Sequence, residues 1–189
     1  MEYNTSYCQA IQKGELSSIH THYHDTRYGF HESQDDELFG RLILEINQAG
    51  LAWNTVLQKH ESIRMAYANY SISAVARFTQ SDIETLLKNP GIIRMRKKIE
   101  AIIFNAQQIE KLQENHGSFY KWLCMQSAIN QRQWEYTFKQ MFKFTGKEIT
   151  REFLMSIGFL PGAHHPDCPV YKKILTIPPM WVKNQLPFL

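Results

Sequence analysis

The stretch DELFGRLILEINQAG at residues 36–50 decides the fold. Leu38, Phe39, Leu42, Ile43 and Ile46 recur at three- and four-residue spacing, which places them on one stripe of an α-helix. Gly50 is a natural stop, because a residue without Cβ readily takes the left-handed conformation that ends helices. The same period continues downstream. Residues 54–70 read as helical past Trp53, and Ser81-x-x-Glu84 reads as a capping box opening a short helix through Leu87. Asn89-Pro90-Gly91 breaks the chain. Met95, Ile99, Ile102, Ile103, Ala106, Ile109 and Leu112 then outline a long helix that Asn115-His116-Gly117 ends. Segments 118–126, 131–142 and 147–157 are further helices, the last stopped by Gly158. No segment alternates apolar and polar residues in a strand pattern, and no Asn-Gly or Asp-Gly hairpin turn occurs. The expected class is therefore all-α, a helical bundle with its core at about 35–158.

Outside that core the pattern changes. Residues 1–34 carry little periodicity but hold four of the eight histidines, and 159–189 hold most of the seven prolines and read as loop with little helix. The expected organisation is one compact unit over 1–189 with irregular termini. A net charge of +3 permits a polyanionic partner without demanding one. Three cysteines, an odd and sparse set, do not make a disulfide framework and point to a reducing cytoplasm. The polar opening does not resemble a signal peptide, and no apolar run approaches the roughly 20 residues of a membrane span.

Three constellations carry chemistry. Cys8 and His24 near one end, with His164 and Cys168 near the other, make a two-thiol, two-imidazole set suited to a closed tetrahedral Zn²⁺. Such a metal would join two weakly packed termini. Spacing alone does not choose the ligands, because no short C-x2-C unit is present and His20, His22, His31 and His165 are alternatives. Second, the turn around Pro90, Gly91 and Ile92 joins two helices and is followed by Arg94, Arg96, Lys97 and Lys98. A helix start with basic neighbours binds phosphate without reading sequence; a plain helical corner with a solvated basic face has the same pattern. Third, Glu45 sits at the edge of the apolar stripe rather than on the polar face, Trp53 follows the Gly50 stop, and Tyr23 and Tyr28 flank His24. A desolvated carboxylate beside aromatic faces suits a flat cationic ligand, although large aromatics are more often packing.

The blocks YHDTRYG (23–29), LFGRLILEINQAGLAWNTVLQK (38–59), NPGIIRMRKKIEAIIFNA (89–106), FKFTG (142–146) and GAHHPDC (162–168) run in one order over most of the chain. With them the sequence resembles the DNA-3-methyladenine glycosylase I family of the helix-hairpin-helix superfamily. The resemblance implies structural zinc on Cys8, His24, His164 and Cys168, and a base-contacting Glu45. It implies base-binding by Tyr23 and Trp53, with Tyr28 and Gln48 alongside, and a DNA-backbone hairpin at Pro90, Gly91, Ile92, Arg94, Arg96 and Lys97. It implies as partner double-stranded DNA with alkylated bases. The default expectation is a monomer in the cytoplasm, nucleoid-associated when bound to DNA.

Most helix-hairpin-helix glycosylases use an Asp after the hairpin; here no Asp occurs between Asp82 and Asp167. That fits removal of a cationic base, which is already a good leaving group. Tyr28 and Arg27 replace the family's Trp and Glu, the stretch around 127–134 is shortened, and the tail 169–189 has no counterpart. Two rivals are a damage-binding paralogue without catalysis and a zinc-stapled helical interaction module, separable by excision and by salt-sensitive DNA binding.

Overall fold

The computed structural model describes residues 5–126 and 130–183. Among the described residues there are no strands, and thirteen α-helices follow one another: α1 Thr5–Gln12, α2 Ser18–Thr26, α3 Asp35–Gln48, α4 Trp53–Gln58, α5 His60–Ala66, α6 Ile72–Val75, α7 Gln80–Lys88, α8 Arg96–His116, α9 Phe119–Gln126, α10 Gln131–Met141, α11 Lys147–Ser156, α12 Pro169–Leu175 and α13 Met180–Lys183. They group into two compact units, one of residues 1–32 with 151–189 and one of 33–150. Of the shortened stretch around 127–134, residues 127–129 lie outside the described ones, as do 184–189 of the tail.

In the 33–150 unit the expected stripe is the core face of α3: Leu38, Phe39, Leu42, Ile43 and Ile46 are all fully buried. Burial of each such side chain contributes roughly 1.5–3 kcal/mol. The acidic start of α3 works as a clamp. The Asp35 carboxylate accepts from Gln113 Nε2 (2.7 Å) and from the backbone N–H groups of Phe119 (2.8 Å) and Tyr120 (2.9 Å), so it caps α9. α8 is the central pillar, packing against α3, α6, α7 and α9. It buries Ile99, Ile102, Ile103, Ala106, Ile109 and Leu112 as its periodicity predicts, while Met95, the first residue of the expected stripe, is exposed at the N-cap; the helix ends on Gly117 at φ 84°.

The expected single helix over 54–70 is instead two helices and a 3-10 turn. Ala68, Asn69 and Tyr70 all have positive φ, which a right-handed α-helix does not tolerate. The cause is tertiary. The Tyr70 ring lies against Gly40, so closely that a Cβ there would collide with it, and the chain must leave the helix to deliver the ring. The capping box also differs. At α7 the Asp82 carboxylate accepts from Thr79 N and Thr79 Oγ1, each at 2.7 Å, two residues earlier than the Ser81–Glu84 pair. These bonds hold the Asp82 carboxyl below its ordinary range.

The terminal segments, expected to hold little helix, contain α1, α2, α12 and α13. Their packing explains why periodicity missed them. The small core here is Cys8, Cys168, Val170 and Ile174 with Phe30 and Tyr171 against it, and the rings of Tyr7, His24, Tyr28 and His164 meet edge-on or tilted within 4.4–6.2 Å. These are not aliphatic stripes. Part of the unplaced tail packs within this unit, with Trp181 N donating to Gly158 O at 3.4 Å.

Candidate functional site

Four buried side chains converge in the terminal unit: Cys8 on α1, His24 on α2, His164 on the loop before α12, and Cys168 at the start of α12. Their ligand atoms all lie within 4.8 Å of one another. The imidazoles are oriented by what their other nitrogens touch. His24 Nδ1 lies 2.6 Å from Asp25 Oδ1, a group that can only accept when ionised, so Nδ1 carries the proton and Nε2 offers a lone pair. His164 Nε2 donates to the Tyr28 carbonyl at 2.8 Å, leaving Nδ1 bare. Those two nitrogens face the sulfurs: His24 Nε2 is 3.4 Å from Cys8 Sγ and 3.8 Å from Cys168 Sγ, and His164 Nδ1 is 3.8 and 3.6 Å from the same atoms.

Tetrahedral Zn²⁺ with ordinary Zn–S and Zn–N lengths requires sulfur–nitrogen separations of about 3.6 Å. All four measured separations bracket that value, so donor set and spacing both fit a metal. The secondary partners, a carboxylate on one histidine and a carbonyl on the other, are the supports that metal-ligating histidines use. Burial holds the His164 pKa down at about 4, which keeps the ring neutral and able to ligate. Burial pushes the Cys8 thiol up to about 11; only a cation would make a thiolate favourable there. Gly29 explains the closeness of the loop. At φ 78°, an added Cβ would stand 2.6 Å from Ala163 Cβ and 3.2 Å from the His164 ring.

The 33–150 unit holds the carboxylate. Glu45 is buried in the last two turns of α3, and Gln48 is the final residue of that helix. Gly50 turns the chain at φ 77°, and Trp53, half-buried, opens α4. Glu45, Gln48 and Trp53 thus share one helical corner. Tyr23 and Tyr28 belong to the terminal unit, buried with rings 5.8 Å apart, and the Tyr28 hydroxyl donates to Glu152 Oε2 at 2.9 Å.

The hairpin between α7 and α8 is a tight turn built by local polar groups. Gly91 N donates to Asn89 Oδ1 (2.8 Å) and Lys59 Nζ donates to Pro90 O (2.7 Å). Ile92 is buried and anchors the turn, while Arg94, Arg96 and Lys97 are exposed. Arg96 is already engaged, 2.5 Å from Glu84 and 3.6 Å from Glu100. Lys98, grouped with that basic face in the sequence reading, is 2% exposed and points inward. Its Nζ donates to the carbonyls of Asn47 (2.8 Å) and Ala49 (2.7 Å) at the end of α3.

A second basic surface escaped the sequence reading. The turn Phe142–Gly146 between α10 and α11 borders a cleft of about 540 Å³ lined by Arg132, Lys139 and Lys147 with Tyr136, Phe144 and one acid, Glu135. Phe144 sits at φ 60°, and the turn is held by Asn105 of α8, which donates to Lys143 O (3.0 Å) and accepts from Lys143 N (2.8 Å). The available signal was Phe-Lys-Phe-Thr-Gly itself, a short break between two amphipathic helices.

A profile of the methyladenine glycosylase family matches residues 13–141. The DNA-3-methyladenine glycosylase of Haemophilus influenzae is 32% identical over 171 residues, covering 80% of this chain and 92% of that protein. DNA-3-methyladenine glycosylase 1 of Escherichia coli is 40% identical over 97 residues, 51% of this chain and 52% of that protein. Among solved structures, 3-methyladenine DNA glycosylase I of Staphylococcus aureus aligns with TM-score 0.78 at 30% identity, over 87% of this chain and 97% of that one. A 3-methyladenine DNA glycosylase I in complex with 3-methyladenine aligns with TM-score 0.77 at 31% identity, over 84% and 95%. The chain belongs to the methyladenine glycosylase family.

Proposed function

We propose that this chain is a base-excision repair enzyme, a DNA glycosylase that releases 3-methyladenine from duplex DNA by flipping the base out of the stack and leaves an abasic site. The observation that carries the reading is its similarity, over most of both chains, to a glycosylase solved with 3-methyladenine bound. Methylation at N3 puts positive charge on adenine. When the C1′–N9 bond breaks, its electron pair moves into the base and neutralises that charge, so no strong acid is required. Water adds through oxygen at C1′ and loses a proton to solvent. The absence of any Asp between Asp82 and Asp167 agrees with a mechanism that relies on the leaving group.

In this reading Glu45 accepts hydrogen bonds from the cationic base, and its burial strengthens that attraction. Trp53 and Tyr23 stack on the base, with Gln48 and Tyr28 as further base-binding groups. Pro90, Gly91, Ile92, Arg94, Arg96 and Lys97 hold the DNA backbone as a helix-hairpin-helix element, and the cleft beside Phe142–Gly146 is a second phosphate-facing surface. Cys8, His24, His164 and Cys168 bind Zn²⁺, which with four protein ligands supplies cross-linking and no open position for chemistry. The whole chain works as one monomeric glycosylase unit on DNA in the cytoplasm. No described helix is long and apolar enough to cross a membrane.

The test is base release from methylated duplex DNA by metal-replete protein, with adducts separated by chromatography. Release of 3-methyladenine above the uncatalysed rate supports the reading; folded, DNA-binding protein that releases none overturns it.

A further inference from the structure

Lys98 lies two residues into α8 with 2% of its surface exposed, and both of its hydrogen-bond partners are backbone carbonyls, Asn47 O and Ala49 O. No carboxylate among the described residues pairs with it. A lysine ammonium is strongly hydrated, and removing it from water is costly; burial accordingly lowers its pKa. Such a group persists only where its contacts repay that cost.

The place it occupies explains the contacts. The last carbonyls of any helix lack an intrahelical donor. At the end of α3, Leu51 N takes the carbonyl of Gln48 (2.7 Å), and Lys98 takes those of Asn47 and, just past the helix end, Ala49. A positive charge at a helix C-terminus is favourable to the helix dipole. The same ammonium lies 5.9 Å from the centre of the Phe144 ring on the turn between α10 and α11. Three segments therefore meet at one charge: the start of α8 just after the basic hairpin, the corner that carries Glu45, Gln48 and Trp53, and the turn beside the cleft. Seven residues along the same helix, Asn105 performs the matching service for Lys143 in that turn.

We infer that Lys98 is a positioning residue for base excision: it fixes the α3–α4 corner so that Glu45 and Trp53 meet the flipped base in register with a backbone held at the 90–97 hairpin. This rests on the glycosylase reading. In this role Lys98 acts through the carbonyls of Asn47 and Ala49 rather than on the reacting atoms, so its loss acts on the rate of base release rather than on DNA binding. Misplacement of a catalytic group by about 1 Å costs on the order of a hundred-fold in rate.

Lys98→Met keeps the stem and removes the donors. The expected result is a folded protein by circular dichroism whose single-turnover release of 3-methyladenine falls at least ten-fold. Its affinity for methylated duplex stays within about three-fold, and its affinity for free 3-methyladenine, read by tryptophan fluorescence, weakens. A folded variant with wild-type release and base affinity overturns the inference. Because that variant can fail to fold, a measurement on the unaltered chain stands beside it. With lysine labelled by nitrogen-15, the protected Lys98 ammonium resonance shifts when free 3-methyladenine binds; no shift under saturating base equally overturns the inference. An unaltered protein that neither releases nor binds 3-methyladenine defeats the glycosylase reading and this one with it, whereas an active protein matched by Lys98→Met defeats this one alone.

Discussion

His164 donates through Nε2 to the carbonyl oxygen of Tyr28 at 2.8 Å, and that one bond turns its Nδ1 toward the thiols of Cys8 and Cys168. The ring is thereby fixed before any metal arrives, which is the second-sphere arrangement that raises ligand basicity. Protein expressed with zinc should carry one equivalent by elemental analysis. Cys168→Ser should lose most of it and unfold at lower temperature, since metal binding energy in such sites is folding energy. A variant with full zinc content would remove Cys168 from the ligand set.

Gly29 tests the same geometry without touching a ligand. An alanine there meets Ala163 Cβ at 2.6 Å and is strained at φ 78° as well. Gly29→Ala should cost on the order of 1–3 kcal/mol, as overpacking and strain do, and should weaken zinc retention because the His164 ring lies 3.2 Å away. Thermal melting with a zinc-release dye reads both effects. Unchanged stability would mean the loop yields freely.

The chelated protein should show a two-sided pH profile. His164 titrates at about 4 folded against 6.5 unfolded, so between those values the unfolded chain binds the extra proton and stability falls as pH drops from 6.5 toward 4. Cys8 titrates at about 11 folded against 9.0 unfolded, so there the folded chain holds the extra proton and stability falls as pH rises from 9 toward 11. Zinc should abolish the alkaline decline, since the ligand form is the thiolate. Denaturant midpoints across pH, with and without zinc, check this; a flat alkaline limb in the chelated protein contradicts it.

Glu45→Gln preserves size and removes charge from a buried site. It should leave the fold intact and lower release of 3-methyladenine by on the order of a hundred-fold, the scale of removing one preorganised polar partner. Near-full activity would remove Glu45 from the mechanism.

At the hairpin, Arg94→Ala and Lys97→Ala should each weaken binding across DNA sequences alike and reduce the salt slope by about one. Arg96→Ala should matter less in the same titration, because its guanidinium is already shared between Glu84 and Glu100. Equal slopes for all three would show that those ion pairs open on DNA.

How much of this was legible in the sequence follows from what each residue packs against. The α3 and α8 stripes were readable because aliphatic residues at helical spacing face one core. The helices near the termini were not, because they bury histidine, tyrosine and cysteine in a small polar-lined cluster. The interruption at Ala68–Tyr70 depends on Gly40, about thirty residues earlier, and no local pattern announces it. The four residues of the candidate metal site were visible as types, but only the fold brings side chains so distant in sequence within 4.8 Å of one another. Lys98 reads as surface charge next to Arg96 and Lys97; its burial is set by the unpaired carbonyls of another helix. Asp25 was the most accessible missed signal, since a carboxylate adjacent to a candidate ligand histidine is placed to orient it.

The four-residue cluster also dictates an order of events during synthesis. Cys8 and His24 leave the ribosome first, while His164 and Cys168 follow about 140 residues later, a delay of roughly seven to thirty seconds at ordinary elongation rates. The whole 33–150 unit, which holds none of the four, emerges in that interval. Capture of an ion by this group would therefore be a late checkpoint, and a chain cut short before residue 164 has only two of the four side chains with which to hold a metal.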